Sequence, residues 1–98
     1  MLIYVDIDDT ICHREGNDLD YNNSIPYEDR IKKINDLYDE NTIVYWTARG
    51  TKTGINWFQT TYDQLIKWGC KFHELRMGKP YYDLFIDDKN INSEEYFK

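Results

Sequence analysis

The sequence of 98 residues contains only two cysteines, Cys12 and Cys70, which form neither a CxxC pair nor a pattern with His at metal-ligand spacing. A zinc site is therefore not expected, and the thiols are expected to be reduced. The chain reaches its first acid at Asp6, too early for a signal peptide, and no apolar run is as long as a membrane span. These absences predict a cytoplasmic protein without a membrane partner.

Positive charge is also scarce, with 12 Lys and Arg residues against 18 Asp and Glu residues and a net charge of −6. No run of Lys or Arg is present, and nucleic-acid sites need such basic clusters, so no nucleic-acid partner is expected. The surplus acids are concentrated in two short clusters: Asp6, Asp8 and Asp9, and Asp87 with Asp88. The negative charge is therefore local.

Apolar residues make up 41% of the sequence and aromatic residues 16%. A chain of this length buries roughly two-thirds of its extended surface on folding, which is enough for a core without disulfides. We therefore expect one domain over residues 1–98.

Apolar runs and helical spacing alternate along the chain. The predicted strands are Leu2–Val5, Thr42–Trp46, Lys71–Leu75 and Leu84–Ile86; the predicted helices run from Pro26 to near Asn41 and from Ile55 to the Gly69 cap; residues 11–24 are predicted to form a long loop. Strands alternating with helices indicate an α/β fold, with an open parallel sheet and flanking helices.

Polar residues follow three of these strands. Asp6 to Thr10 follow the first strand, Thr47 to Gly50 the second, and Asp87 with Asp88 the fourth. Ligands of open α/β sheets bind outside the carboxyl ends of the strands, so these residues are expected to converge at one edge. An isolated acidic pair such as Asp87 and Asp88 is equally typical of a helix cap or a solvated turn.

Clustered carboxylates repel one another unless a cation lies among them, and carboxylate oxygens favour Mg²⁺ over zinc. Asp6 and Asp8 are two residues apart, so one carboxylate could attack a substrate while the other transfers a proton. A solvated acidic turn is the simpler alternative. A calcium-binding EF-hand loop is excluded because Ile11 and Asn17 occupy the positions that require Gly and Glu.

Thr47 alone would be typical of a helix cap or a surface residue. With Ala48, Arg49 and Gly50 after it, the segment is better suited to binding phosphate. Lys79, between Gly78 and Pro80, is predicted to be held in a defined turn rather than to be a freely solvated lysine.

Some aromatic residues lie near these polar ones. Trp46 is predicted to belong to the core. For Tyr81 and Tyr82, beside Lys79, lining the site and packing elsewhere remain equally open.

Taken together, the sequence Asp6-Ile7-Asp8-Asp9-Thr10 and the later Thr47, Lys79 and Asp87-Asp88 resemble the four motifs of the haloacid dehalogenase-like superfamily of phosphotransferases. The resemblance extends over residues 3–88 and preserves the order of the motifs. The first motif is specific, whereas the Thr and the Lys gain meaning only from that order.

The resemblance implies a phosphomonoester hydrolase. Asp6 would be the nucleophile that forms an aspartyl-phosphate, and Asp8 the general acid that later activates water. Thr47 would bind the phosphoryl oxygens with help from Ala48 and Arg49, and Lys79 would offset their charge. Magnesium would be held by Asp6, the main-chain carbonyl of Asp8, Asp87 and Asp88.

The spacing between these motifs leaves no room for the inserted cap domain that many members of this superfamily carry. The open site would then suit a large substrate or coverage by a second subunit, so a homo-oligomer is one expectation. Segments around Arg49, Cys70 and Lys89 also resemble small members associated with sugar-phosphate metabolism, which implies a phosphorylated small-molecule substrate, a sugar phosphate.

Two other classes remain as alternatives. A phospho-receiver signalling domain also uses acids, a Thr and a Lys, but its order differs, because here Lys79 precedes Asp87. A non-catalytic phosphate-binding module would be expected to lack Asp6 or Asp8, and both are present.

Overall fold

A parallel three-stranded sheet with helices on one side forms the centre of the protein. The computed structural model describes all 98 residues. The strands are β1 (Leu2–Val5), β2 (Cys12–His13), β3 (Ile25–Pro26), β4 (Thr42–Trp46) and β5 (Glu74–Arg76); the helices are α1 (Glu28–Asn35), α2 (Phe58–Lys67) and the single turn α3 (Ser93–Tyr96). Short 3-10 helices cover Tyr21–Asn23 and Tyr38–Glu40.

The central sheet has the order β1, β4, β5, and both of its pairings are parallel. β2 and β3 form a separate antiparallel pair. The predicted open α/β fold with a parallel sheet and flanking helices is therefore confirmed. The strands β1 and β4 lie where the sequence predicts them, since each is an apolar or β-branched run bounded by polar residues.

One face of the sheet carries the core. Alternating residues of β1 and β4, such as Val5 and Tyr45, pack with Ile31 of α1 and Leu65 of α2 in one buried cluster. The partly buried Tyr96 and Phe97 close the same cluster. On the opposite face Leu2, Tyr4, Glu74 and Arg76 are exposed. All three helices therefore lie on one side of the sheet.

Several predicted boundaries differ from those observed. The predicted first helix is split into α1 and the 3-10 helix Tyr38–Glu40, and α2 begins at Phe58 rather than near Ile55. The predicted loop over residues 11–24 contains β2 and a 3-10 helix. These differences arise from local hydrogen bonds that apolar spacing does not encode.

The predicted fourth strand is wrong. Leu84, Phe85 and Ile86 form no strand, and they are 75%, 41% and 88% exposed. A short apolar run gains stability as a strand only when it pairs and packs, and this run does neither. As a result Asp87 and Asp88 do not follow a strand, and both are exposed.

No helix has the length and apolar character needed to cross a membrane.

Candidate functional site

The carboxyl edge of the sheet brings Asp6 and Lys79 together. Asp6 follows β1 directly, whereas Lys79 reaches the edge because the pairing of β4 and β5 continues beyond both strands. Thr47 N donates to Arg76 O at 3.0 Å, and Lys79 N donates to Thr47 O at 3.0 Å. The Lys79 ammonium then lies 3.3 Å from Asp6 Oδ1.

Asp6 has a second partner. The Thr10 hydroxyl donates to Asp6 Oδ2 at 3.2 Å, so both carboxylate oxygens are oriented. The Asp6 side chain is 38% exposed and that of Lys79 is 15% exposed. Asp6 is therefore a fixed carboxylate that remains open to solvent beside a cation, which are the properties of a nucleophile for an anionic ester.

A tight turn places Asp8 and Thr10 after β1. Thr10 N and Ile11 N both donate to Ile7 O, and Asp9 N donates to Cys12 O. Asp9 adopts a φ of +61°, in the left-handed region, which Asp tolerates better than most residues. The turn returns the chain to Cys12 and sets Asp8 next to the segment that follows β4.

Asp8 forms a bidentate ion pair with Arg49. Arg49 Nε donates to Asp8 Oδ2 at 3.0 Å, and Arg49 Nη2 donates to Asp8 Oδ1 at 2.9 Å. The Arg49 side chain is completely buried, and that of Asp8 is 23% exposed. Two parallel charge-assisted bonds at low exposure hold the carboxylate in one orientation.

The rest of the Arg49 guanidinium is also occupied. Nη1 donates to Thr61 Oγ1 at 3.1 Å and to Gln64 Oε1 at 2.6 Å, both on α2. Nη2 also donates to Ser24 Oγ at 3.3 Å. A guanidinium has five N–H donors, and here each has a partner. Arg49 therefore links three parts of the fold: the turn after β1, helix α2, and the loop that precedes β3.

The predicted role of Arg49 in binding phosphate is not supported by this geometry. Its five donors are used within the protein, and its side chain does not reach the surface. The sequence suggests a phosphate contact for Arg49 because it follows Thr47, and it gives no sign that Ser24, Thr61 and Gln64 are its partners. No local pattern marks them, since Arg49 contacts them only through the tertiary fold.

Thr47 and Ala48 are at the edge, but in different environments. Thr47 is 1% exposed, and its Oγ1 accepts a bond from Arg49 N at 3.1 Å, a bond that leaves its own hydroxyl proton free. Ala48 is partly exposed and offers only its backbone. The turn ends at Gly50 with a φ of +80°, where a Cβ atom would collide with the carbonyl of Ile55, so glycine is required.

The four acids of the predicted magnesium site are not brought together. Asp6 contacts Lys79, Asp8 contacts Arg49, and Asp87 and Asp88 have no side-chain partner on their exposed segment. No group of three or more His, Cys, Asp or Glu side chains is close enough to hold a metal ion. The residues as arranged do not fit a magnesium site, because the predicted fourth strand that would carry Asp87 to the edge does not form.

Cys12 lies against the ion pair. Its thiol is 3.6 Å from Asp8 Oδ1 and 3.8 Å from Arg49 Nη2. Burial, and then the negative charge of Asp8, raise the pKa of Cys12 to about 12. The thiol is therefore protonated at neutral pH and is not a nucleophile of this site.

Comparison with known proteins supports the fold. No protein-family profile matches the sequence, and no curated protein matches it. The crystal structure of an MCSG target from Vibrio cholerae is similar, with a TM-score of 0.85 and 26% sequence identity over 98% of this chain and 86% of that one. The open α/β architecture is thus also found in a crystal structure.

Proposed function

We propose that this protein is a phosphomonoester hydrolase of the haloacid dehalogenase-like type, in which Asp6 forms an aspartyl-phosphate. The observation that carries the proposal is the contact of 3.3 Å between the Lys79 ammonium and Asp6 Oδ1 at the carboxyl edge of the sheet. The two residues are far apart in sequence, and parallel strand pairing brings them together. A carboxylate, a cation and an exposed edge are the parts that covalent phosphoryl transfer needs.

The reaction has two displacements at phosphorus. In the first, an oxygen of Asp6 bonds to phosphorus while the bond between phosphorus and the alcohol oxygen breaks. In the second, water attacks phosphorus, and the bond to Asp6 breaks to release phosphate. Lys79 offsets the charge on the phosphoryl oxygens in both steps, and Thr10 keeps Asp6 oriented.

Each displacement also moves a proton. The departing alcohol oxygen takes one up, and the attacking water gives one away. Asp8 is our candidate for both transfers, although each of its oxygens accepts a bond from Arg49. We propose that one oxygen leaves Arg49 and takes up a proton from water while the other oxygen stays bound. Asp8 gives that proton to the departing alcohol oxygen in the first step and takes one from the attacking water in the second.

The substrate is proposed to be a phosphorylated small molecule, with sugar phosphates as the first class to test. Mg²⁺ dependence stays a prediction from the sequence, as does the homo-oligomer that would cover the open edge.

Substitution of two neighbouring acids tests the proposal. Asp6→Asn should lower hydrolysis of p-nitrophenyl phosphate and of sugar phosphates on the order of 10⁴-fold or more, because the nucleophile is lost. Asp9→Asn is the matched control, since it removes the same charge from the same turn, and Asn also tolerates a positive φ. It should retain activity within about threefold.

Rapid acid quench followed by mass spectrometry should find the phosphoryl group on Asp6. A phosphorylated His or Ser would contradict the mechanism. A phospho-Asp6 that forms but is not hydrolysed would indicate a phospho-receiver domain, and phosphate binding without turnover would indicate a binding module.

A further inference from the structure

The cation of the proposed site lies close to two aromatic rings. Lys79 Nζ is 5.8 Å from the centre of the Trp46 ring and 5.5 Å from that of the Tyr82 ring. Both distances are within the range of cation–π attraction. The ammonium that contacts Asp6 is thus bordered by aromatic surface.

The Trp46 ring belongs to the open face of the sheet. Side chains alternate along a strand, so Trp46 points away from the core that the buried Tyr45 enters. Tyr4 meets Trp46 edge-on, with the ring centres 5.6 Å apart and the planes at 88°. This contact supports Trp46 from one side, and the sequence-based expectation that Trp46 is a core residue is corrected to a partly exposed one.

Tyr82 is 40% exposed and lies on a segment without regular secondary structure. Tyr82 also contacts Phe85, with the ring centres 5.2 Å apart. These aromatic contacts leave part of both rings exposed beside the lysine that contacts Asp6. Exposed aromatic surface next to a reactive group is typical of a site that binds an apolar or flat part of a ligand.

We propose that Trp46 and Tyr82 form a subsite for the alcohol part of the substrate, and that this alcohol carries a ring. The inference rests on the proposed function, in which the phosphate lies between Asp6 and Lys79. The alcohol extends from that phosphate, and both rings border Lys79, so a ring on the alcohol can stack on them. The ligand class is a ring-bearing phosphate monoester, which includes hexose phosphates and nucleoside monophosphates.

Kinetics on three esters tests the subsite. A hexose phosphate and a nucleoside monophosphate carry rings, and glycerol phosphate is the acyclic reference. Trp46→Leu and Tyr82→Ala should each lower kcat/KM about 10-fold on the preferred ring ester, as expected for the loss of one stacking contact, mainly through KM. On glycerol phosphate, where each variant loses only a cation–π contact with Lys79, kcat/KM should fall by about threefold at most.

Tyr62→Ala is the matched control. Tyr62 is 39% exposed and contacts other aromatic rings, but it lies on α2 on the other side of the sheet. It should leave all three kcat/KM values unchanged. If Trp46→Leu does not fold, Tyr82→Ala still tests the subsite. Tyr82 lies outside the helices and strands, so its replacement disturbs none of them directly.

Equal kcat/KM for ring and acyclic esters in the unsubstituted protein would overturn the subsite, as would an equal loss on both kinds of ester in the variants. Binding to the Asp6→Asn protein, measured by calorimetry, separates this proposal from the proposed function. If the protein hydrolyses no ester but binds a ring ester about 10-fold more tightly than glycerol phosphate, and Tyr82→Ala removes that difference, the subsite stands and the hydrolase proposal fails. Hydrolysis without any ring preference would support the hydrolase proposal and overturn the subsite.

Discussion

Asp6 and Asp8 are separated by one residue, yet the protein surrounds them differently. Asp6 faces the solvent beside one lysine, and its side chain is 38% exposed. Asp8 accepts two bonds from an arginine whose every donor is occupied, and its side chain is 23% exposed. The comparison shows how one short turn can leave one acid beside a single lysine while joining the next acid to the rest of the fold.

The largest expected effect comes from the negative charge that Asp6 and a bound phosphate bring together. The Asp6 carboxylate and a phosphate dianion carry three negative charges against the single positive charge of Lys79, and Arg49 is already paired. The Mg²⁺ dependence predicted from the sequence would therefore require the exposed Asp87 segment to move to Asp6 when the metal binds, because the acids are apart in this structure. In that case hydrolysis is lost on removal of divalent metal and restored by Mg²⁺. Full activity in excess chelator, measured on metal-stripped protein, would show that Lys79 is sufficient and that the predicted magnesium role is wrong.

Asp87→Asn gives the matching measurement for the acidic pair. If Mg²⁺ restores the unsubstituted protein but restores this variant only at much higher concentration, the exposed segment contributes to metal binding in solution.

The next effect tests the proton role of Asp8. Asp8→Asn should slow phosphorylation on the order of 10² to 10⁴-fold with an alkyl phosphate, the usual value of general acid catalysis. The loss should be smaller with p-nitrophenyl phosphate, because its phenolate departs without a proton. Single-turnover rates on both esters provide the measurement. Equal slowing would show that Asp8 serves only as an anchor for Arg49.

A third prediction compares how much the buried Arg49 pair and an exposed pair contribute to stability. Arg49→Met should lower the free energy of unfolding by about 3 kcal/mol, because it leaves the Asp8 carboxylate with little solvent and no cation. Arg76→Met is the control, since Arg76 and Glu74 form a solvent-exposed pair that contributes little to stability. Urea unfolding of both variants provides the values. Similar losses would mean that the Arg49 pair is no more important than a surface pair.

The smallest expected effect is on the orientation of Asp6. Thr10→Val removes the hydroxyl that donates to Asp6 Oδ2 and keeps the side-chain shape. One hydrogen bond at a partly exposed site is worth about 1 kcal/mol, so kcat should fall about fivefold. Thr60→Val, at a partly exposed threonine on α2, is the control and should keep kcat. A fall of 100-fold would mean that Thr10 also contacts the substrate.

The sequence predicts the Asp6 side of this comparison better than the Asp8 side. β1 and β4 are apolar runs that end in polar residues, and such runs determine both the strand and the edge at which Asp6 lies. For Lys79 the sequence predicts only a defined turn between Gly78 and Pro80, and the resemblance implies its role beside Asp6. Nothing local indicates that Arg49 would turn inward, since its partner Asp8 and its contacts on α2 are set by the packing of the whole domain.

Near the end of the chain, an apolar run predicts a strand that the structure does not contain. Leu84 to Ile86 have the composition of a buried strand, but they are exposed. Composition gives a tendency to form a strand and does not specify a neighbouring strand to pair with. The prediction that Asp87 reaches the edge depended on that pairing, so it failed with the strand.

Both cysteines are buried in the core cluster. Burial raises the pKa of Cys70 to about 11, close to that of Cys12. At neutral pH almost no thiolate is present, so an alkylating reagent reacts only when the surrounding structure opens. Cys12 lies beside Asp8, and Cys70 follows α2 before β5. Their labelling rates therefore report local opening at two places in one chain, around Asp8 and between α2 and β5.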